Sequence, residues 1–98
     1  MKVIFLRAAR RDLATVARFI AQDNPPRAES FISALEEVAL RISDAPRGFP
    51  LVPRHEQQGI RRRSWRGYGI LYVLRNDTIA ILRVLGPGQD HDRLLGLK

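Results

Sequence analysis

The sequence predicts an α+β fold with the element order β-α-α-β-β-β, in which an N-terminal strand and a helical hairpin pack on a mostly antiparallel four-stranded sheet. Three features of the 98 residues lead to this prediction. Apolar side chains recur with the helical period through the first half of the chain, and after residue 59 the period becomes that of strands. Two dipeptides, Arg66-Gly67 and Asn76-Asp77, are suited to hairpin turns between those strands.

The first half begins with a strand and continues as a helical hairpin over about residues 8–44. The run KVIFLR at 2–7 is short, apolar and rich in strand-forming residues. A first helix follows, with an apolar stripe formed by Leu13, Val16, Ala17 and Ile20. The opposite face of this helix is charged, so we expect the stripe to face the core.

The segment QDNPP at 22–26 separates this helix from a second one. Asp23 or Asn24 can cap the second helix, and the two prolines suit its first turn. The second apolar stripe consists of Ala28, Phe31, Ile32, Leu35, Val38, Ala39 and Ile42. Because the connection is short, we expect the helices to pack antiparallel and to cover one face of the sheet.

Residues 44–58, DAPRGFPLVPRHEQQ, contain three prolines and cannot continue a helix. We expect a structured connection rather than a flexible linker, because Phe49, Leu51 and Val52 favour burial. A β-meander then covers about residues 59–85, with strands at 60–65, 68–75 and 78–85.

Side chains alternate between the two faces of a strand, which separates the three consecutive arginines of the meander. Arg61, Arg63 and Trp65 share one face of the first strand of the meander, and Ile60, Arg62 and Ser64 share the other. After the last strand, residues 86–98 open with Gly-Pro-Gly and are too short to predict a helix, so they are predicted to form a tail that is mobile until bound.

Composition excludes several classes of protein. Apolar residues make up 45% of the chain, which favours one globular domain spanning residues 1–98. Neither a membrane-spanning run nor a secretory signal is evident, and we expect no membrane partner. The absence of cysteine excludes disulfides and thiolate metal sites and suits a cytoplasmic protein.

The positive charge is concentrated in the second half. Residues 1–44 carry seven basic and six acidic side chains, whereas residues 45–98 carry ten basic and four acidic ones, giving net charges of +1 and +6 that sum to the formal +7. Such asymmetry indicates an anionic partner, either a nucleic acid or an acidic protein segment.

The sequence gives little support for a metal site or a bound cofactor. The histidines are His55 and His91, and the ligand-like run Asp90-His91-Asp92 lies on the predicted tail, so we predict no metal site. Gly86-Pro87-Gly88 lacks the lysine and the following helix of a phosphate-binding loop, and we predict no cofactor.

The arginines and aromatic residues of the meander allow three interpretations. They can bind RNA by phosphate pairing and base stacking. They can dock a protein, since Trp, Tyr and Arg are common at the centres of interfaces. The third interpretation is a half-buried aromatic strand face beside solvated arginines that discourage edge-to-edge aggregation.

The ordered set of motifs resembles the RelE/ParE superfamily of toxins from bacterial type II toxin–antitoxin modules. The stretches that carry the resemblance are RDLATVARFIAQDNPPRAESFISAL, APRGFP, GIRRRSWRGYGILYVL and IAILRVLGPGQD. The resemblance covers nearly the whole chain. It implies a cognate antitoxin whose acidic or amphipathic C-terminal segment binds the toxin in a hetero-oligomer.

The superfamily has two functional branches. RelE-like members cleave mRNA on the ribosome and need a base, an acid and cations around the phosphate. They typically place a tyrosine or a histidine-tyrosine pair near the C-terminus, where this chain has His91. Under this alternative, Glu56 and His91 are the acid-base candidates, and Arg61 and Arg83 are the cations.

The resemblance favours the ParE-like branch, whose members bind DNA gyrase and trap it on broken DNA. That branch usually has Arg-Val-Leu-His followed shortly by Arg-Asp, whereas Gly86 and Gln89 stand at the His and Arg positions here. These departures leave room for a weak toxin or a non-toxic basic binding module. The residues that the resemblance implies for antitoxin or target binding are Arg61, Arg63, Trp65, Arg83 and Gln89.

Overall fold

The computed structural model describes residues 1–96 and confirms the predicted α+β fold and its element order. The elements are β1 (Lys2–Phe5), α1 (Arg7–Ala21), α2 (Pro25–Leu40) with a 3₁₀ turn at Arg41–Asp44, β2 (Arg61–Trp65), β3 (Tyr68–Arg75), β4 (Thr78–Leu85) and the short α3 (His91–Leu94). The strands form one sheet in the order β1-β4-β3-β2, in which only the β1–β4 pair is parallel.

The first strand is shorter than the sequence predicts, whereas the second helix begins where it was expected. β1 stops at Phe5 rather than residue 7, because α1 already begins at Arg7. The second helix begins as predicted, with Asn24 Oδ1 accepting a hydrogen bond from the Arg27 backbone N–H at 3.2 Å. Asn24 is therefore the cap, and the two prolines that follow it occupy the first turn of α2.

The main core lies between the helical hairpin and one face of the sheet, which we call the helix face. The apolar stripes of α1 and α2 pack there against alternate side chains of β3 and β4. The Phe31 ring lies 5.2 Å from the Trp65 ring and 5.1 Å from the Tyr68 ring, centroid to centroid. The predicted stripes are thus core, and each large side chain that they bury contributes roughly 1.5–3 kcal/mol.

The opposite face of the sheet carries a second apolar cluster, and we call it the second face. Its buried members are Val52, Ile60, Leu71, Val73, Ala80 and Leu85. Leu94 and Leu95 pack against this cluster from α3 and the residue after it. The segment predicted to be a mobile tail is therefore docked on the sheet over its described part, because packing there buries apolar side chains of the second face. Residues 97 and 98 lie outside the described residues.

The connection between the helices and β2 is structured, as predicted. The Val52 backbone N–H donates to the Ile60 carbonyl at 2.8 Å, and the Arg62 N–H donates to the Pro50 carbonyl at 3.0 Å. Val52 is buried, whereas Leu51 is 39% exposed and does not join the core. Within residues 1–96, no helix has the length and apolar character needed to cross a membrane.

Candidate partner-binding surface

Arg61 holds the proline-rich connection against the helix face. Its Nη1 donates to the Phe49 carbonyl at 2.7 Å and to the Arg47 carbonyl at 3.4 Å. Opposite Arg61 in the sheet, the buried Tyr72 hydroxyl donates to the Pro46 carbonyl at 2.6 Å. Burial raises the pKa of Tyr72, although the nearby Arg61 charge acts in the other direction.

The other two arginines of β2 also make intramolecular contacts. The Arg63 guanidinium lies 5.0 Å from the centre of the Phe49 ring, and its Nη1 donates to the Ser64 carbonyl at 2.7 Å. Arg62 faces the other way, as predicted, and its Nε donates to Ser64 Oγ at 2.9 Å. The arginine side chains of β2 thus stabilise the local structure through hydrogen bonds and a cation–π contact.

Trp65 is half-buried between an aromatic ring and a cation. One side of its indole packs on Phe31 in α2, and the Arg66 guanidinium lies 5.0 Å from the indole centroid. Arg66 belongs to the turn between β2 and β3 and has a positive φ of 49°, followed by Gly67 at 83°. The turn predicted at these two residues is confirmed.

Arg83 joins three elements rather than facing solvent. Its Nε and Nη2 donate to the two carboxylate oxygens of Asp12 in α1, both at 2.8 Å, and its Nη1 donates to the Leu94 carbonyl at 3.0 Å. Asp12 Oδ2 also accepts the Val84 backbone N–H at 2.8 Å, beyond the point where β1 stops covering this edge of β4. The hydrogen bonds to Asp12 are the main reason that the pKa of Arg83 is raised.

Of the acid-base candidates, His91 begins α3, whose Leu94 packs on the second face, and Glu56 lies in the connection before β2. His91 Nε2 is 3.4 Å from Asp92 Oδ1, and the same oxygen lies 2.8 Å from Nε2 of the buried His55. Glu56 is exposed in the turn beside His55. The two hydrogen bonds that Arg61 donates, to the Arg47 and Phe49 carbonyls, involve neither of these groups.

Asp92 fastens α3 to the loop before β2. Besides the contact with His55, its Oδ2 accepts a hydrogen bond from Arg54 Nη1 at 3.1 Å. The hydrogen bond with His55 is the main cause that lowers the pKa of the Asp92 carboxyl, and Arg54 and His91 add to the effect. Asp90, His91 and Asp92 do offer ligand atoms within 4.8 Å of one another, but Asp90 caps α3 and the Asp92 oxygens are already hydrogen-bonded.

An open groove lies between α1 and the segment that follows β4, with a volume of about 400 Å³. Phe19 lines it and is 70% exposed, the largest exposed fraction of any bulky apolar side chain in residues 1–96. Gln89 also lines the groove, with Oε1 accepting the Gly86 backbone N–H at 2.6 Å. We call this feature the α1 groove; its full lining is Asp12, Thr15, Val16, Phe19, Tyr68, Val84, Gly86, Pro87 and Gln89.

Sequence reasoning included Gln89 among its candidate site residues but did not include Phe19. The signal was present, because Phe19 is a large aromatic residue outside the predicted apolar stripe of α1. Of the other predicted binding residues, Arg61, Arg63, Trp65 and Arg83 do not line this groove. Of the predicted set, the α1 groove therefore includes Gln89 alone.

Comparison with known proteins identifies a family of toxins. Residues 3–91 match the family described as the ParE toxin of the type II toxin–antitoxin system, parDE. The chain matched none of the curated protein sequences with which it was compared.

Two solved structures resemble the fold. The chromosomal ParDE toxin–antitoxin system from P. aeruginosa superposes with a TM-score of 0.73 at 18% identity, covering 89% of this chain and 96% of that one. The toxin–antitoxin complex RelBE2 from Mycobacterium tuberculosis superposes with a TM-score of 0.64 at 30% identity, covering 87% of this chain and 95% of that one.

Proposed function

The chain belongs to the ParE family of toxins from type II toxin–antitoxin systems, within the RelE/ParE superfamily, and we propose that it arrests growth by binding DNA gyrase rather than by cleaving RNA. In this proposal the toxin acts in the cytoplasm and is not an enzyme. A cognate antitoxin neutralises it in a hetero-oligomeric complex. The two similar structures are those of a toxin–antitoxin system and a toxin–antitoxin complex, which supports the antitoxin as a partner.

One observation carries the preference for gyrase: apart from the exposed Glu56, the groups that RNA cleavage would need are already in contact with other parts of the protein. His91 lies beside Asp92, and His55 is buried against the same carboxylate. The Tyr72 hydroxyl is buried and bonded to a carbonyl. A general base or acid must reach the proton that it transfers, and the contacts of these groups are with their own chain, as are those of Arg61 with the Arg47 and Phe49 carbonyls.

A second candidate function is ribosome-dependent mRNA cleavage. It is favoured by the arginine-rich β2 and by the 30% identity with the RelBE2 complex. Under this alternative, Glu56 and His91 would supply acid-base chemistry, with Arg61 and Arg83 stabilising the charge on the phosphate. Arg83 would first have to exchange its bonds to Asp12 for the phosphate.

Induced expression of the chain alone in bacteria tests the two functions together. Gyrase inhibition predicts growth arrest with DNA breaks, an SOS response and intact mRNA, and the purified protein should reduce supercoiling by purified gyrase. Ribonuclease activity predicts cut mRNA and stalled translation without breaks. Unchanged growth, or gyrase that is unaffected at micromolar toxin, would refute the proposed target.

A double variant, Glu56→Gln with His91→Gln, serves as the internal control. If the toxin acts by binding gyrase, this variant should arrest growth as the parent does, because neither side chain has a catalytic role. Loss of arrest in a variant that still folds would favour the RNA-cleaving alternative.

A further inference from the structure

The α1 groove has apolar walls, and the Asp12 and Gln89 side chains that line it are already paired within the protein. Val16, Phe19, Tyr68 and Pro87 supply the apolar walls. Both carboxylate oxygens of Asp12 are bonded to Arg83. Gln89 Oε1 is bonded to the Gly86 N–H. Few unpaired polar atoms remain to orient a small polar ligand, so the lining favours apolar side chains of a polypeptide.

The helix that forms one wall is strongly cationic. The exposed charged residues of α1 are Arg7, Arg10, Arg11 and Arg18, and its single acidic residue, Asp12, is neutralised by Arg83. Arg18 Nη2 donates to Oγ1 of Thr15, a lining residue, at 3.3 Å, which holds this guanidinium at the border of the groove. A segment that enters the groove therefore meets positive charge along one side.

Helical spacing arranges these features in two adjacent rows. Asp12, Val16 and Phe19 follow one another at i, i+4 and i+7 and line the groove. Arg11 and Arg18 are also seven residues apart and flank Thr15, so they form a neighbouring row. An amphipathic segment with large apolar side chains and flanking carboxylates matches this arrangement of an apolar row beside a basic one.

We propose that the α1 groove is the docking site for an acidic, amphipathic segment of the cognate antitoxin, whose apolar side chains pack against Phe19 while its carboxylates pair with Arg18. This inference rests on the antitoxin partnership of the proposed function, and it is independent of whether gyrase is the target. It places antitoxin recognition on α1 rather than on the arginines of β2, which donate hydrogen bonds to carbonyl or hydroxyl oxygens of their own chain.

Binding of the separately purified antitoxin of the same module to the full chain tests the proposal. Phe19→Ala should weaken binding by about 30-fold or more, the loss typical of an aromatic residue at the centre of an interface. Arg18→Ala should weaken it by about 3- to 10-fold and reduce its dependence on salt, since that contact is electrostatic.

Matched controls come from the end of α2 and the first residue of the 3₁₀ turn that follows it. Leu40 is an exposed apolar residue at 51%, and Arg41 follows it, so Leu40→Ala and Arg41→Ala should bind the antitoxin within about 2-fold of the parent. Because Phe19 is mostly exposed, its truncation should leave the melting temperature nearly unchanged, which separates lost binding from lost folding.

Three outcomes are distinguishable. Equal affinity of the parent and Phe19→Ala would overturn the proposal. Phe19→Ala that binds antitoxin normally but no longer arrests growth would also overturn it, because the groove would then face the target. A chain that fails to inhibit gyrase, yet loses antitoxin affinity on Phe19→Ala, would refute the proposed target and support the groove as the antitoxin site.

Discussion

Replacing Asp12 with Ala should destabilise the protein far more than a typical surface substitution. Asp12 accepts two hydrogen bonds from Arg83 and one from the Val84 backbone, all at 2.8 Å. Its side chain is 15% exposed and that of Arg83 is 24% exposed. The substitution leaves a partly buried guanidinium without its counterion and a backbone N–H without its acceptor at the edge of β4.

The loss of unfolding free energy expected for Asp12→Ala can be bounded by two typical cases. Breaking a fully buried ion pair costs about 3–5 kcal/mol, whereas a fully exposed pair contributes about 0–1 kcal/mol. Water can solvate part of Arg83, and its Nη1 keeps the Leu94 carbonyl, so we expect a loss near the lower end of the buried range, about 3 kcal/mol. For a domain of this size, that lowers the melting temperature by about 12 to 24 °C.

Urea and thermal unfolding, followed by circular dichroism, measure this change. Glu37→Gln is the matched control, because Glu37 pairs with Arg41 at 3.7 Å with side chains that are 64% and 74% exposed, and its loss should cost less than about 0.5 kcal/mol. Asp12→Asn should fall between the two, since an amide oxygen can still accept the Val84 N–H. If Asp12→Ala costs no more than Glu37→Gln, then Asp12 does not link α1 to the sheet as described.

Three further substitutions should have measurable effects. Because the hydrogen bond with His55 lowers the pKa of Asp92, the stability from this carboxylate is present above its ordinary pKa near about 4 and is lost as the pH falls through the lower folded-state value; Asp92→Asn should remove that part of the acid sensitivity of urea unfolding. Because burial raises the pKa of Tyr72, its contribution is present below about pH 10 and is lost as the pH rises through the higher folded-state value; Tyr72→Phe should remove the later component of an ultraviolet titration. Phe31→Ala should cost about 3–5 kcal/mol and shift Trp65 fluorescence to the red, because it removes a ring packed on the indole.

Each of these substitutions has a neighbouring control. Asp90→Asn retains a capping oxygen and should leave the acid sensitivity of urea unfolding as in the parent. An Asp92→Asn protein with the parent's acid sensitivity would contradict the contact with His55. Tyr68→Phe should preserve the late titrating component, and its survival in Tyr72→Phe would mean that Tyr72 is not the buried phenol. Leu40→Ala, on the exposed end of α2, should be nearly neutral, and a comparable result for Phe31→Ala would exclude Phe31 from the core.

The fold could be predicted because its determinants are local in sequence. The stripes of the two helices, the cap at Asn24 and the turn at Arg66 and Gly67 each depend on residues a few positions apart. The second face could not be predicted in this way. The contact of α3 with that face depends on an Asp92–His55 contact between residues 37 positions apart, which no periodicity records.

The candidate site was harder to predict for a related reason. Arg83 lies on a strand whose sequence gives no sign of a partner, and its partner Asp12 is 71 residues away in α1. Gln89 was identified through the resemblance to a family, and the groove that it lines was not. Phe19 needed no long-range information, only the observation that a large apolar residue lies outside the stripe that faces the core.

Counts of charge along the chain also fail to locate the charge that a partner can reach. By count, most of the net positive charge belongs to residues 45–98, yet Arg61 and Arg63 are bonded to carbonyls of their own chain and Arg83 is paired with Asp12. The same pairing removes the only acidic side chain of α1 from the electrostatic balance of that helix, and Arg18 remains at its exposed border. The side chains that pair inside the fold therefore make α1, in the nearly neutral half of the sequence, the surface on which we expect an acidic partner to bind.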